Sequence, residues 1–126
     1  EIAGELQGAL PAISLGSCGA LLTAFANDAD GRFAFAQQVM GYAAPGDVVI
    51  GISTSGNADN VRFALMAARS RGAAAIALTG RTGGRLAEVA DCCVRAPDDR
   101  TFRVQEHHVR IYHFLCAYAE SELFDE

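Results

Sequence analysis

The sequence predicts an α/β fold: a parallel sheet covered by helices on both faces, a three-layer αβα sandwich. Three observations lead there. Short apolar runs rich in Val, Ile and Ala alternate with stretches whose apolar residues recur at three- and four-residue spacings. The connections between them are short, which suits strand–helix crossovers. Hydrophobic residues make up 51% of the chain, with 13 Gly and no Trp, a mix that allows close helix-on-sheet packing.

In chain order, residues 1–8 read as the tail of a helix ended by Gly8. Residues 10–15 read as a strand with Pro11 near its start, where a missing N–H is tolerated. Residues 17–25 form a short apolar helix that ends at Asn27-Asp28, and 32–42 are an amphipathic helix carrying Phe33, Phe35, Ala36, Val39 and Met40. Pro45-Gly46-Asp47 turns the chain into Val48–Ile52, a β-branched run expected to be buried on both faces. A helix over 59–71 follows, with Val61, Ala64, Leu65 and Ala68 on one side and Gly72 as its stop. Then come a strand over 74–79, a short helix over 83–90, a strand over 92–96, a polar turn at 97–100 and a long helix over 103–124. In parallel sheets ligands gather at the carboxyl ends of strands, so the loops after Leu15, Ile52, Leu78 and Val94 share one rim.

Length and charge bound the function. A chain of 126 residues is one domain with a sizeable core, spanning 1–126. A net charge of −5 argues against a nucleic-acid surface. All 10 cationic residues are arginines and they form no run. Cys18, Cys92, Cys93 and Cys116 show no C-x-x-C spacing, so reduced, buried thiols are expected. Neither a signal peptide nor a bilayer-length apolar run is present, so the expectation is a cytoplasmic protein with no membrane partner. The chain begins in mid-helix, which suggests an N-terminal helical segment and a first strand upstream.

Three groups of residues carry chemistry. In residues 46–60 a strand runs into Ser53-Thr54-Ser55-Gly56 and then a helix N-terminus. Free N–H groups, the positive end of the helix dipole and three hydroxyls suit a phosphate. The same residues also suit a plain turn and helix cap. The second group is Gln105, Glu106, His107, His108 and His113 on the last helix. Gln105 and His113 lie eight residues apart, about 80° around the axis. Histidine titrates near neutrality and ligates metals, but the i, i+4 pair of zinc-binding helices is absent. The third is Glu1 and Glu5, one helical turn apart, able to share a proton, hold a metal or simply be solvated. Asn27-Asp28 is a helix C-cap near the rim.

These pieces, in order along the chain, resemble the sugar isomerase (SIS) domain family. They carry Leu-Pro-Ala-Ile-Ser-Leu (10–15), Leu-Thr-Ala-Phe-Ala-Asn-Asp (22–28), Gly-Asp-Val-Val-Ile-Gly-Ile-Ser-Thr-Ser-Gly-Asn (46–57), Ala-Leu-Thr-Gly-Arg-Thr-Gly-Gly (77–84) and Val-Gln-Glu-His-His-Val-Arg-Ile-Tyr-His (104–113). Ser-Thr-Ser-Gly-Asn marks the family at large, and the Gln-Glu-x-His-x4-His helix resembles its phosphoheptose isomerase group. The resemblance implies a flavodoxin-like architecture and an aldose–ketose isomerisation of sedoheptulose 7-phosphate. It implies that Ser53, Thr54 and Ser55 bind the phosphate, that Asn27 and Asp28 contact the sugar, and that Glu5 is the base with His113 as acid/base partner. It implies a zinc ion on Glu5, Gln105 and His113, a homotetramer or homodimer, and a place in lipopolysaccharide biosynthesis. The chain departs from the family at position 1, Glu in place of a metal histidine, which leaves Glu1 as the other candidate base. It departs again at Ala58, where the family has a further serine, and the Gly-Asn-Gly-Gly-Ser loop is absent. Two other readings stand beside the isomerase: a non-catalytic scaffold resembling the DnaA initiator-associating proteins, and a sugar-phosphate sensor.

Overall fold

The computed structural model describes Gly4 and residues 8–124. Three strands, β1 (Val48–Ile52), β2 (Ala74–Thr79) and β3 (Cys92–Arg95), form one parallel sheet in the order β1-β2-β3. Val48 pairs with Ala74 and Ile52 with Leu78; Ile76 pairs with Cys92 and Thr79 with Arg95. The helices bounded within residues 8–124 are α1 (Gly19–Asp28), α2 (Ala34–Tyr42), α3 (Asp59–Ser70), α4 (Leu86–Val89) and α5 (Thr101–Phe124). Short 3₁₀ turns at Leu15–Ser17 and Gly31–Phe33 precede α1 and α2. The expected α/β class with a parallel, helix-flanked sheet is what forms.

Side-chain alternation explains the core. Ala75, Ala77 and Thr79 of β2 are fully buried, and on β1 Gly51 faces the same helices. Leu65 of α3 and Leu86 of α4 close over Ala75 and Ala77. A second cluster joins α2 to α3 through Val39, Ala43, Ala64, Ala68 and Ala73. Small residues set the spacing: a Cβ at Gly51 would lie 2.6 Å from Val61 Cγ1 and 3.1 Å from Leu65 Cδ2. The helix therefore rests directly on the strand backbone.

Four expectations need correction. Residues 10–15 form no strand; Leu15–Ser17 is a 3₁₀ turn, and 10–14 are exposed irregular chain. A strand exists only as one side of a ladder, and among the described residues nothing pairs with this one. For the same reason β1 is an edge strand, not one buried on both faces: Val48, Ile50 and Ile52 are 55%, 50% and 49% exposed. They line an apolar groove of about 1350 Å³ with Leu10, Ile13 and Tyr42. The thiols, all free, are not buried: Cys18, Cys92 and Cys116 are exposed and Cys93 is half-buried. The helix expected over 83–90 shrinks to α4 because Gly83 and Gly84 lie against the Gly56 backbone.

The tight α3–β1 seat yields a stability prediction. Gly51→Ala inserts a methyl into Val61 and Leu65 and is expected to cost about 1–3 kcal/mol, read as a lowered denaturant midpoint at unchanged slope.

Candidate functional site

The turn after β1 is held first by backbone bonds. Ser53 N–H donates to Leu78 O at 3.0 Å, continuing the ladder one residue past the strand, and Gly56 N–H donates to Ser53 O at 3.0 Å. Gly80 N–H donates to Thr54 O at 3.0 Å, and Leu86 N–H to Gly56 O at 2.9 Å. Gly56 adopts φ of 69°, and a Cβ there would strike the Gly83 carbonyl. Only glycine fits both demands. Ser53 is buried, Thr54 half-buried and Ser55 exposed, so the hydroxyls step outward toward solvent.

Two residues outside the expected set shape this turn. Asn57 donates its N–H to Ser55 Oγ and its side-chain amide to Ser55 O, both at 3.2 Å. Arg85 donates its backbone N–H to Asn57 Oδ1 at 3.1 Å and its guanidinium to Asn57 O at 2.9 Å. Arg85 also pairs with Asp59 at 3.0 Å, and Arg62 reaches the same carboxylate at 3.3 Å. Two guanidiniums and the amino end of α3 thus surround one carboxylate beside the turn, a locally positive setting for an anion. The N-cap of α3 is Ala58, whose side chain makes no capping bond. Arg85 was legible only as one of ten scattered arginines; its place on the rim loop after Gly83-Gly84 is the signal that marks it.

The first turns of α5 lie at the same rim. A Cβ at Gly80 would sit 2.6 Å from Thr54 O and 3.4 Å from Val104 Cγ2, so the hydroxyl turn and the start of α5 meet around Gly80. His108, one turn after Val104, is buried with its Nε2 2.9 Å from Thr79 O. The approach to α5 is an Asx turn: Asp98 Oδ1 accepts from the N–H groups of Asp99 and Arg100, both at 2.9 Å. The Arg100 guanidinium beside Asp98, aided by those N–H groups, holds its carboxyl well below the usual carboxylate range.

The remaining expected site residues are less gathered. Asn27 and Asp28 are the last residues of α1 and are exposed. Gln105 and His113 are exposed on α5, and His113 packs its ring 5.3 Å from that of Tyr112. Among the described residues no hydrogen bond ties either to the hydroxyl turn. Glu5 and Glu1 lie outside the described residues. Gln105 and His113 are about 12 Å apart along one helix by its rise. No cluster of three or more His, Cys, Asp or Glu able to bind a metal occurs among the described residues.

Comparison with known proteins places this geometry. Residues 20–114 match the SIS domain family. The chain belongs to the SIS domain family. It is 47% identical over 116 residues to the phosphoheptose isomerase of Citrifermentans bemidjiense, covering 92% of this chain and 60% of that protein. It is 40% identical to that of Rhodospirillum rubrum, covering 98% of this chain and 69% of the other. The solved phosphoheptose isomerase of Neisseria gonorrhoeae superposes with a TM-score of 0.86 at 41% identity, covering 89% of this chain and 62% of that one. The chain therefore spans about 60% of the length of the first of these curated relatives.

The Asx turn predicts a pH signature. Asp98→Asn should lower Tm by a constant amount at neutral pH, because a depressed carboxyl stabilises the fold above its unfolded pKa. That gap should narrow as pH falls below about 4 toward the depressed folded value, where wild type loses the same charge.

Proposed function

We propose that this protein is a phosphosugar aldose–ketose isomerase of the phosphoheptose isomerase kind, interconverting sedoheptulose 7-phosphate and an aldose heptose 7-phosphate. The observation that carries the reading is the backbone-pinned Ser53–Ser55 turn opening at the amino end of α3. Family membership and the names of the relatives support it. Ser53, Thr54 and Ser55 anchor the phosphate, and Asn27 and Asp28 contact the sugar chain.

The chemistry assigned to the other end is proton transfer. A base, Glu5, removes a proton from C1 of the ketose while an acid, His113, protonates the C2 oxygen. The resulting enediol takes the proton back at C2 and loses one from its C1 hydroxyl, giving the aldose with no net change in atoms. Phosphate binding far from C1 and C2 fixes the register of the reacting carbons. A zinc ion on Glu5, Gln105 and His113 is proposed on the resemblance alone, and no step is routed through it. A homotetramer is proposed on the same ground. It is supported by the exposed apolar residues of α5, Phe114, Tyr118, Leu123 and Phe124. A cytoplasmic location and a role in lipopolysaccharide biosynthesis complete the proposal.

Incubating the intact protein with sedoheptulose 7-phosphate should yield an aldose heptose 7-phosphate. His113→Ala should lower kcat by about 10²–10⁴-fold, while Ser55→Ala should chiefly raise KM. Absence of turnover by wild type, together with tight binding to a replication initiator, would replace this reading with the scaffold.

A further inference from the structure

His108 is the one histidine of the Gln105–His113 segment that is buried, at 2% exposure. The chemistry proposed above gives it no task. Its Nε2 lies 2.9 Å from Thr79 O, and a carbonyl only accepts, so the ring donates there and carries its proton on Nε2. Its Nδ1 is buried and has no hydrogen-bond partner among the described residues. Leaving a buried polar atom unpaired is costly, and a leucine or phenylalanine would fill the same space without that cost. The donor bond must therefore bring something that packing alone does not.

What it brings is a connection between two parts of the site. Thr79 ends β2, and the next residue, Gly80, donates to Thr54 O in the middle of the hydroxyl turn. The peptide unit joining Thr79 to Gly80 thus accepts from α5 through its carbonyl and donates to the turn through its N–H. A peptide unit is planar, so a push on its oxygen tilts its N–H. The same oxygen accepts from Ala96 N–H at 2.9 Å, so the imidazole adds a second bond from α5 to the one the sheet supplies, and the pair fixes the direction in which the Gly80 N–H holds Thr54. The same helix carries Gln105 three residues before His108 and His113 five residues after it.

We propose that His108 is a positioning residue that sets the distance and orientation between the phosphate turn and the acid/base end of α5. The inference rests on the phosphosugar isomerase reading. Its bond to the Thr79 carbonyl clamps the Thr79–Gly80 peptide, through which the Ser53–Ser55 turn and His113 keep a common register. The unpaired Nδ1 follows from this geometry, since one ring nitrogen must face the carbonyl and the other then faces the core.

The test uses the intact protein and two variants. His108→Phe keeps the ring volume and removes the donor; His108→Gln restores an N–H donor from a side chain of comparable reach. For His108→Phe, kcat on sedoheptulose 7-phosphate is expected to fall about tenfold or more and KM to rise, as misplacement of reacting groups requires. His108→Gln should recover most of both. Equal kcat and KM in wild type and a folded His108→Phe, or no better performance by His108→Gln, would overturn the proposal. Affinity for inorganic phosphate separates this outcome from failure of the isomerase reading. If wild type turns over no sugar phosphate, the isomerase reading falls, yet His108→Phe should still bind phosphate more weakly than wild type and His108→Gln. Should His108→Phe not fold, ¹⁵N spectra of the wild-type histidines decide. The His108 ring should be in the Nε2–H form and its Nε2 signal should move when phosphate is added; the other tautomer or an unmoved signal refutes the clamp.

Discussion

The site depends on backbone contacts between the loops that follow β1 and β2. Thr54 O with Gly80 N–H, and Gly56 O with Leu86 N–H, fasten two loops that are distant in sequence. Main-chain bonds of this kind do not depend on side-chain rotamers, so the turn keeps its shape whatever rotamers its hydroxyls adopt. They also require small residues at the crossing, which is why Gly56 meets the Gly83-Gly84 pair there.

The electrostatics around the turn are balanced rather than simply positive. Asp59 stands between Arg62 and Arg85, while Asn57 links Arg85 to Ser55. A carboxylate at this place keeps two guanidiniums organised without a ligand, since two unscreened cations at a helix amino end would repel each other. Under the proposed function, a dianionic phosphate approaching the turn would meet groups already in place, and preorganisation of that kind lowers the ordering cost of binding.

Much of this was legible in the sequence, for physical reasons that differ by element. Val48–Ile52 and Ala74–Thr79 were bounded correctly because turn residues flank each run, and α3 because its apolar residues repeat at helical spacing. The hydroxyl turn was legible as a strand-to-helix connection because Ser-Thr-Ser-Gly lies between a β-branched run and a helical pattern. Burial of β1 was not legible, since it depends on a partner for residues 10–15 that a local pattern cannot supply. His108 could have been singled out: it follows Val104 by four residues and so shares its buried side. Reading the three histidines as one group hid it. Glu5, Gln105 and His113 were named from resemblance, and nothing in their spacing alone required that they meet.

The sheet's unequal pairing has a further consequence for how the molecule breathes. Among the described residues β2 is bonded on both edges, and Ala75, Ala77, Leu78 and Thr79 are sealed, whereas β1 is bonded on one edge with Val48, Ile50 and Ile52 in the open. Local opening therefore starts at β1 and spreads inward, with β2 amides the slowest to exchange with solvent. The hydroxyl turn is attached to the looser strand but fastened to the tighter one. An anion seated in it would add free energy of binding to the least protected strand of the sheet, so occupancy of the site would be felt as a stiffening of β1.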